Sequence, residues 1–148
     1  MPLDKKLIHR KITLIDRDMK SLKQISLIPL NKFLHDHIFE AVAERNLERV
    51  AGRMIDINYH ILAQAENESP VDYYNSFILL GNKNYLPVNL SRSLAKAAGL
   101  RNILAHEYDE IDEKKIYQAV LRCLKEVPLY VNHIIRFLDK GSKQKKLL

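Results

Sequence analysis

Tryptophan is absent from this chain, and cysteine occurs once, at Cys123. One thiol can build neither an intrachain disulfide framework nor a cysteine-based zinc site, which fits a reducing compartment, so a cytoplasmic protein is expected. Aromatic residues make up 7% of the 148 positions, too few for a platform on which successive bases stack. Glycine (4) and proline (5) are scarce, whereas 47% of the residues are hydrophobic and 28% charged, a balance that excludes bulk disorder and supplies a packed core. No apolar run approaches the roughly 18 residues of a membrane-spanning helix, so no membrane partner is expected. The opening MPLDKKLIHRK interrupts every apolar run with charge, so no secretory leader is expected either. Basic residues outnumber acidic ones 24 to 18, and the resulting +6 invites a polyanionic partner without deciding for one.

No segment shows the strict alternation of a strand, and the apolar residues follow helical spacing instead. Ile8, Ile12, Ile15, Met19 and Leu22 form one stripe and predict a helix from Asp4 to Gln24, ending before Pro29. A long second helix is read from Asn31 to Gln64 on Leu47, Val50, Met54, Ile57 and Ile61, with Gly52 either tolerated or marking a close helix contact. Ser69-Pro70 reads as the start of a short third helix, which Gly81-Asn82 would close through a left-handed residue near Leu80. A fourth helix is expected from Asn89 or Ser91 to His106. A fifth follows Asp112, with Ile116, Val120, Leu124, Val127, Val131, Ile134 and Leu138 on one face and a kink near Pro128. The expected fold is therefore an all-α, antiparallel up-and-down bundle of about five helices in a single domain over residues 1–140, followed by a basic flexible tail over residues 141–148.

The segment richest in chemistry is Gly99-Leu100-Arg101-Asn102-Ile103-Leu104-Ala105-His106-Glu107-Tyr108. On a helical wheel Leu90, Leu94, Ala97, Leu100 and Leu104 cluster, and Arg101 falls on or beside that apolar side. A guanidinium there must snorkel, pair or face a cleft. Asn102 and His106, at i and i+4, lie one turn apart, so the amide can orient the imidazole. Arg101 and His106 stand about 140° apart on an ideal helix, and they converge on one phosphate only at a helix end, across a groove or with a symmetry mate. Residue types alone also suit a plainer account, in which the histidine meets the negative end of the helix dipole and the arginine is solvated.

The string from Arg101 to Tyr108 resembles the R-x-x-x-x-H-x-Y motif of the HEPN-domain ribonuclease toxins (HepT-like) that pair with a minimal nucleotidyltransferase (MNT) antitoxin. The resemblance extends to Leu86-Pro87, to Tyr108-x-x-Ile111-Asp112 and to the upstream Ile55-Asp56-Ile57-Asn58-Tyr59-His60-Ile61, covering Asn31 to Leu138 in outline. It implies the toxin of a type VII toxin–antitoxin system, an all-α homodimer whose two motifs line a shared cleft and cut RNA without a metal. Arg101 and His106 are then the catalytic residues, with Asn102 supporting them. Histidine titrates near neutrality and suits proton transfer to and from the ribose 2′-hydroxyl, while the planar arginine fork suits phosphate oxygens. Tyr108 is implied as the target of AMP transfer by the antitoxin, which would place a charged, bulky group two residues from His106. The implied partners are RNA, the nucleotidyltransferase antitoxin and a second copy of the chain, with larger toxin–antitoxin assemblies open. A reading from another class is a non-catalytic helical module that docks a nucleotidyltransferase and presents Tyr108 or a bound nucleotide to it.

Other signals are weaker. His35-x-His37 could suggest metal binding, with His60 and His9 recruited, but i, i+2 spacing points the rings apart on a helix, and neither a metal nor a cofactor is expected. Asp109, Glu110, Asp112 and Glu113 are read as capping the fifth helix. Lys5, Lys6, Arg10 and Lys11, with Lys143, Lys145 and Lys146, offer general phosphate attraction or simply solvate the surface. Cys123 is read as a small hydrophobe beside the core.

Overall fold

The structure is a computed structural model that describes the backbone of residues 3–106 and 112–147 and the side chains of residues 3–99 and 112–140. All secondary structure among these residues is helical: α1 (Lys5–Ser26), α2 (Leu30–His35), α3 (His37–Ala65), α4 (Tyr73–Asn82), α5 (Val88–His106) and α6 (Glu113–Leu147). The all-α bundle thus has six helices where about five were expected. The extra one arises at Asp36, whose extended backbone (φ −130°, ψ 108°) and side chain accepting from the Ile38 N–H at 2.9 Å stop α2 and cap α3. A short acidic side chain that competes for backbone donors breaks a helix that hydrophobic spacing alone would run through.

Helix α1 leaves Met19 of the stripe read from the sequence only partly buried, but it turns Ile8, Ile12, Ile15 and Leu22 of that stripe, together with Ile25, into the core. Each such side chain contributes about 1.5–3 kcal/mol by leaving water. Its partners are antiparallel. The Asp4 N–H donates to His60 Nε2 at 2.9 Å and Lys11 Nζ to Asp56 Oδ2 at 2.9 Å along α3, while Tyr117 Oη donates to the Ile28 carbonyl at 2.8 Å from α6. Midway, the buried Asp18 carboxylate is held by Arg53 and by Arg49 Nε at 3.3 Å, so a charge inside the bundle is matched rather than left alone. Between α3, α4 and α6 a second polar cluster is closed: Tyr130 Oη donates to Asn58 Oδ1 at 2.6 Å, and Asn58 Nδ2 donates to Ser76 Oγ at 3.1 Å. These three residues lie in the fully buried interior, where polar groups stay only with partners.

Helix α4 starts later than Ser69-Pro70 suggested. Asp72 is the cap, its Oδ1 accepting from the Asn75 N–H at 2.7 Å while Asn75 Oδ1 accepts from the Val71 N–H at 3.2 Å. The left-handed residue that ends α4 is Asn84 (φ 67°), not Gly81 or Asn82. The Tyr85 N–H reaches the Leu80 carbonyl at 2.9 Å and the Asn84 N–H the Gly81 carbonyl at 3.2 Å, the paired bonds of a Schellman ending. Gly81 serves closeness instead: a Cβ there would overlap Ser91 Oγ and stand 2.8 Å from Ser91 Cβ, so α4 and α5 cross where glycine faces serine. Around Gly52, by contrast, nothing lies within 4 Å of the point where a methyl group would sit, so this glycine is merely tolerated within α3.

Helix α6 continues through Pro128 and on to Leu147, so the segment expected to be a flexible tail from Gly141 is helical in its backbone. Lysine, glutamine and leucine are good helix formers, and lysines near a C-terminus oppose the negative end of the dipole. No helix among the described residues is long and apolar enough to cross a membrane.

Candidate active site

Helix α5 carries Arg101, Asn102 and His106 on its described backbone, but the side chains of all three lie outside the described residues, as does Tyr108 altogether. What the structure places is the helix and its register. The core-facing positions of α5 are Ser91, Leu94, Ala95 and Ala98, whereas Ala97, expected on the apolar stripe, is exposed. Small residues carry little hydrophobic signal, so a one-position rotation of the buried face escapes the sequence pattern.

The Ala97 flank of α5 forms one wall of a groove of about 290 Å³, whose other walls come from α3 through Leu47 and Met54 and from α6 through Arg122 and Val127. Lys96, Lys115 and Arg122 also border it, together with Glu48 and Glu126, so a mostly apolar groove carries a rim of mixed charge. On an ideal helix position 101 stands about 40° from position 97 and about 20° from position 94, so by register it falls on the side of the α5 backbone that borders the groove. Position 106 stands about 140° from position 101, on the opposite flank of the core-facing stripe. Position 102 lies between the two.

One brace holds α5 against α6. Ser93 Oγ donates to Glu126 Oε1 at 2.6 Å, Arg122 Nε donates to the same oxygen at 2.8 Å, and Arg122 also reaches Ser93 Oγ. Glu126 Oε2 is buried with no hydrogen-bond partner among the described residues. Sequence reading missed this brace. The i, i+4 spacing of Arg122 and Glu126 was its only local signal, and Ser93 joins them from another helix. Cys123, beside it on α6, is packed against the core with Sγ 3.7 Å from Met19 Sδ, and burial, with a smaller push from Glu126, lifts its thiol to about 12. It is the small hydrophobe the sequence suggested.

The histidine pair read as a possible ligand set divides. His37 stands with Glu40 and Glu113, whereas His35 takes no part in that group. Farther along α3, Glu44 is lifted to about 7 by burial, by a hydrogen bond with Glu40 and by the charges of Glu40 and Glu48.

The family model described as "Ribonuclease HepT-like" matches residues 15–134, most of the chain and all of the segment from Arg101 to Tyr108. The chain belongs to the HepT-like ribonuclease family. Among HepT relatives it is 34% identical over 132 residues to a tRNA nuclease HepT of Aphanizomenon flos-aquae, covering 89% of this chain and 90% of that one. It is 30% identical over 128 residues to an mRNA nuclease HepT of Shewanella oneidensis, covering 86% and 96%. Its fold superposes, with a TM-score of 0.83 and 29% identity over 90% of this chain and 99% of the other, on a tri-AMPylated Shewanella oneidensis HEPN toxin in complex with an MNT antitoxin. A toxin–antitoxin structure with AMP-PNP matches equally well, with a TM-score of 0.83 and 29% identity over 89% and 99%.

Proposed function

We propose that this chain is the nuclease toxin of a toxin–antitoxin pair, an endoribonuclease that acts in the cytoplasm and is silenced when an MNT-type nucleotidyltransferase transfers AMP to Tyr108. The observation that carries this reading is the family match over residues 15–134, which spans the whole motif. The register of α5 supports it, because position 101 of the helix backbone falls near the flank that borders the groove.

In the reaction, the ribose 2′-hydroxyl attacks the adjacent phosphorus in line, forming a 2′,3′-cyclic phosphate and expelling the 5′-oxygen of the next nucleotide. His106 exchanges the protons, since imidazole can both accept and donate near neutral pH. Arg101 binds the non-bridging oxygens, where negative charge concentrates in the transition state. Asn102 orients the imidazole from one turn away. Because positions 101 and 106 lie on opposite flanks of α5, one helix alone presents them to different sides. Pairing with a second copy, so that two α5 helices line one cleft, brings an arginine and a histidine to the same phosphate. The active form is accordingly a homodimer.

Silencing follows from the same placement. The Tyr108 phenol oxygen attacks the α-phosphorus of ATP, pyrophosphate leaves, and the phenolic proton passes to solvent or a base on the antitoxin. The resulting phosphodiester carries a negative charge that competes with RNA for Arg101 and fills space beside His106. Expression without partner should arrest growth for wild type and Tyr108→Phe but not for Arg101→Ala. Coexpression with the nucleotidyltransferase should rescue wild type and add AMP to it by intact mass, with Tyr108→Phe neither modified nor rescued. AMP found only on another residue, or toxicity surviving Arg101→Ala, would contradict the assignment. Absence of toxicity in every form would favour the docking module instead.

A further inference from the structure

The first turns of α3 and α6 meet at a group of donors that the nuclease chemistry does not use. His37 Nδ1 lies 3.5 Å from Glu40 Oε2 and 3.6 Å from Glu113 Oε1, and the three atoms fall within 4.8 Å of one another. In a tetrahedral zinc site with bonds of about 2.0–2.1 Å, ligand atoms stand about 3.3–3.4 Å apart. His37 Nδ1 therefore already stands from both carboxylates at close to the spacing that a zinc ion would impose. His37 and Glu40, at i and i+3, share a face of α3, and Glu113 arrives from a different helix, so the group links two elements rather than decorating one.

We propose that His37, Glu40 and Glu113 bind a divalent zinc-class cation, with water completing the coordination. One imidazole and two carboxylates give a neutral site around a doubly charged ion, and a nitrogen donor among oxygens favours zinc over magnesium. The two carboxylates are sheltered, at 16% and 26% exposure, whereas the imidazole is 90% exposed. The carboxylates thus form a sheltered floor, and the histidine lies on the open side, where water has access. A histidine–carboxylate ion pair alone would explain the same contacts, and the two accounts differ in whether zinc binds here.

The consequence is mechanical. Glu113 is the first residue of α6 and His37 the first of α3, so a shared cation ties the starts of these two helices together. The ion is structural and takes no part in the proposed RNA cleavage.

The test uses the full-length, tag-free chain, stripped with chelator and dialysed, then titrated with zinc chloride by calorimetry and by thermal unfolding. Loss of even an outer-sphere partner costs about 10–100-fold in metal affinity, so loss of a ligand should cost at least that much. The expected result is one zinc per chain and a raised Tm, both lost in His37→Ala and in Glu113→Gln, unchanged in His35→Ala and not reproduced by magnesium. Circular dichroism checks that the variants are folded, and RNA cleavage by His37→Ala should match wild type. Failure of the wild-type chain to bind zinc overturns the proposal. So does binding of equal affinity in folded His37→Ala and Glu113→Gln, which would place the ion on other histidines.

Discussion

Replacing Gly81 by alanine puts a methyl group into a tight crossing of α4 and α5, and the geometry sets the cost. The new Cβ would overlap Ser91 Oγ and lie 2.8 Å from Ser91 Cβ, with the Val88 Cα 3.7 Å away. Carbon atoms pack at about 3.5–4.0 Å, so α4 and α5 must move apart by roughly 1 Å or Ser91 must leave its position. Rotation of the hydroxyl cannot relieve the contact, because Ser91 Cβ is itself too close and Ser91 Oγ is engaged with the Val88 carbonyl at 2.8 Å. Overpacking of this kind costs about 1–3 kcal/mol, and the helix gains about 0.5–1 kcal/mol from alanine in place of glycine. The net expectation is a loss of up to about 2.5 kcal/mol, centred on about 1 kcal/mol, or a Tm lower by up to about 10 °C for a chain of this size. Urea unfolding followed by circular dichroism measures it. Ser91→Gly should be destabilising alone but should relieve Gly81→Ala, leaving the double variant more stable than additivity predicts by about 1 kcal/mol or more. A Gly81→Ala protein as stable as wild type, with additive behaviour in the double variant, would refute the crossing geometry.

Other outcomes follow from single contacts. Tyr130→Phe removes the donor to Asn58 Oδ1 and to the Met54 carbonyl, and leaving a buried amide oxygen unpaired should cost about 1–3 kcal/mol in urea unfolding. Gly52→Ala meets open space within α3 and should stabilise the chain by about 0.5–1 kcal/mol by the same measurement. Cys123 has its thiol moved from 9.0 to about 12. Burial favours the neutral form, so the reactive thiolate appears only as pH rises toward the shifted value. Iodoacetamide at mildly alkaline pH should therefore label the native chain on the order of a thousandfold more slowly than the urea-unfolded chain, and equal rates would contradict the burial.

The parts of the fold legible in the sequence were those written as hydrophobic period. Ile8, Ile12, Ile15 and Leu22 face the core of α1 as their spacing implies, with Met19 partly buried, and the buried face of α6 carries Ile116, Val120, Val127, Val131, Ile134 and Leu138, with Leu124 partly buried. The errors lie where a hydrogen bond decides. Asp36 and Asp72 define helix starts through side-chain bonds to backbone N–H groups, which no apolar pattern encodes. Ending α4 at Asn84 rather than at Gly81 reflects the same limit, because Gly81 was needed for the approach of Ser91, a long-range fact. The buried face of α5 was misjudged by one position because alanine and serine contribute so little to the pattern. The candidate site behaved differently. Its motif is contiguous and so could be read directly, whereas the brace of Ser93, Arg122 and Glu126 joins two helices and could not.

The proposed function stands or falls on whether Arg101 and His106 cut RNA. The decisive experiment is the single-turnover cleavage rate of purified wild-type, Arg101→Ala and His106→Ala proteins on labelled tRNA and mRNA, with chelator present. Wild type should give products ending in a 2′,3′-cyclic phosphate, and each variant should lose activity on the order of a hundredfold or more at unchanged helicity. Cleavage by folded His106→Ala at the wild-type rate would show that the imidazole does not carry the proton transfer, and the catalytic assignment would fail with it.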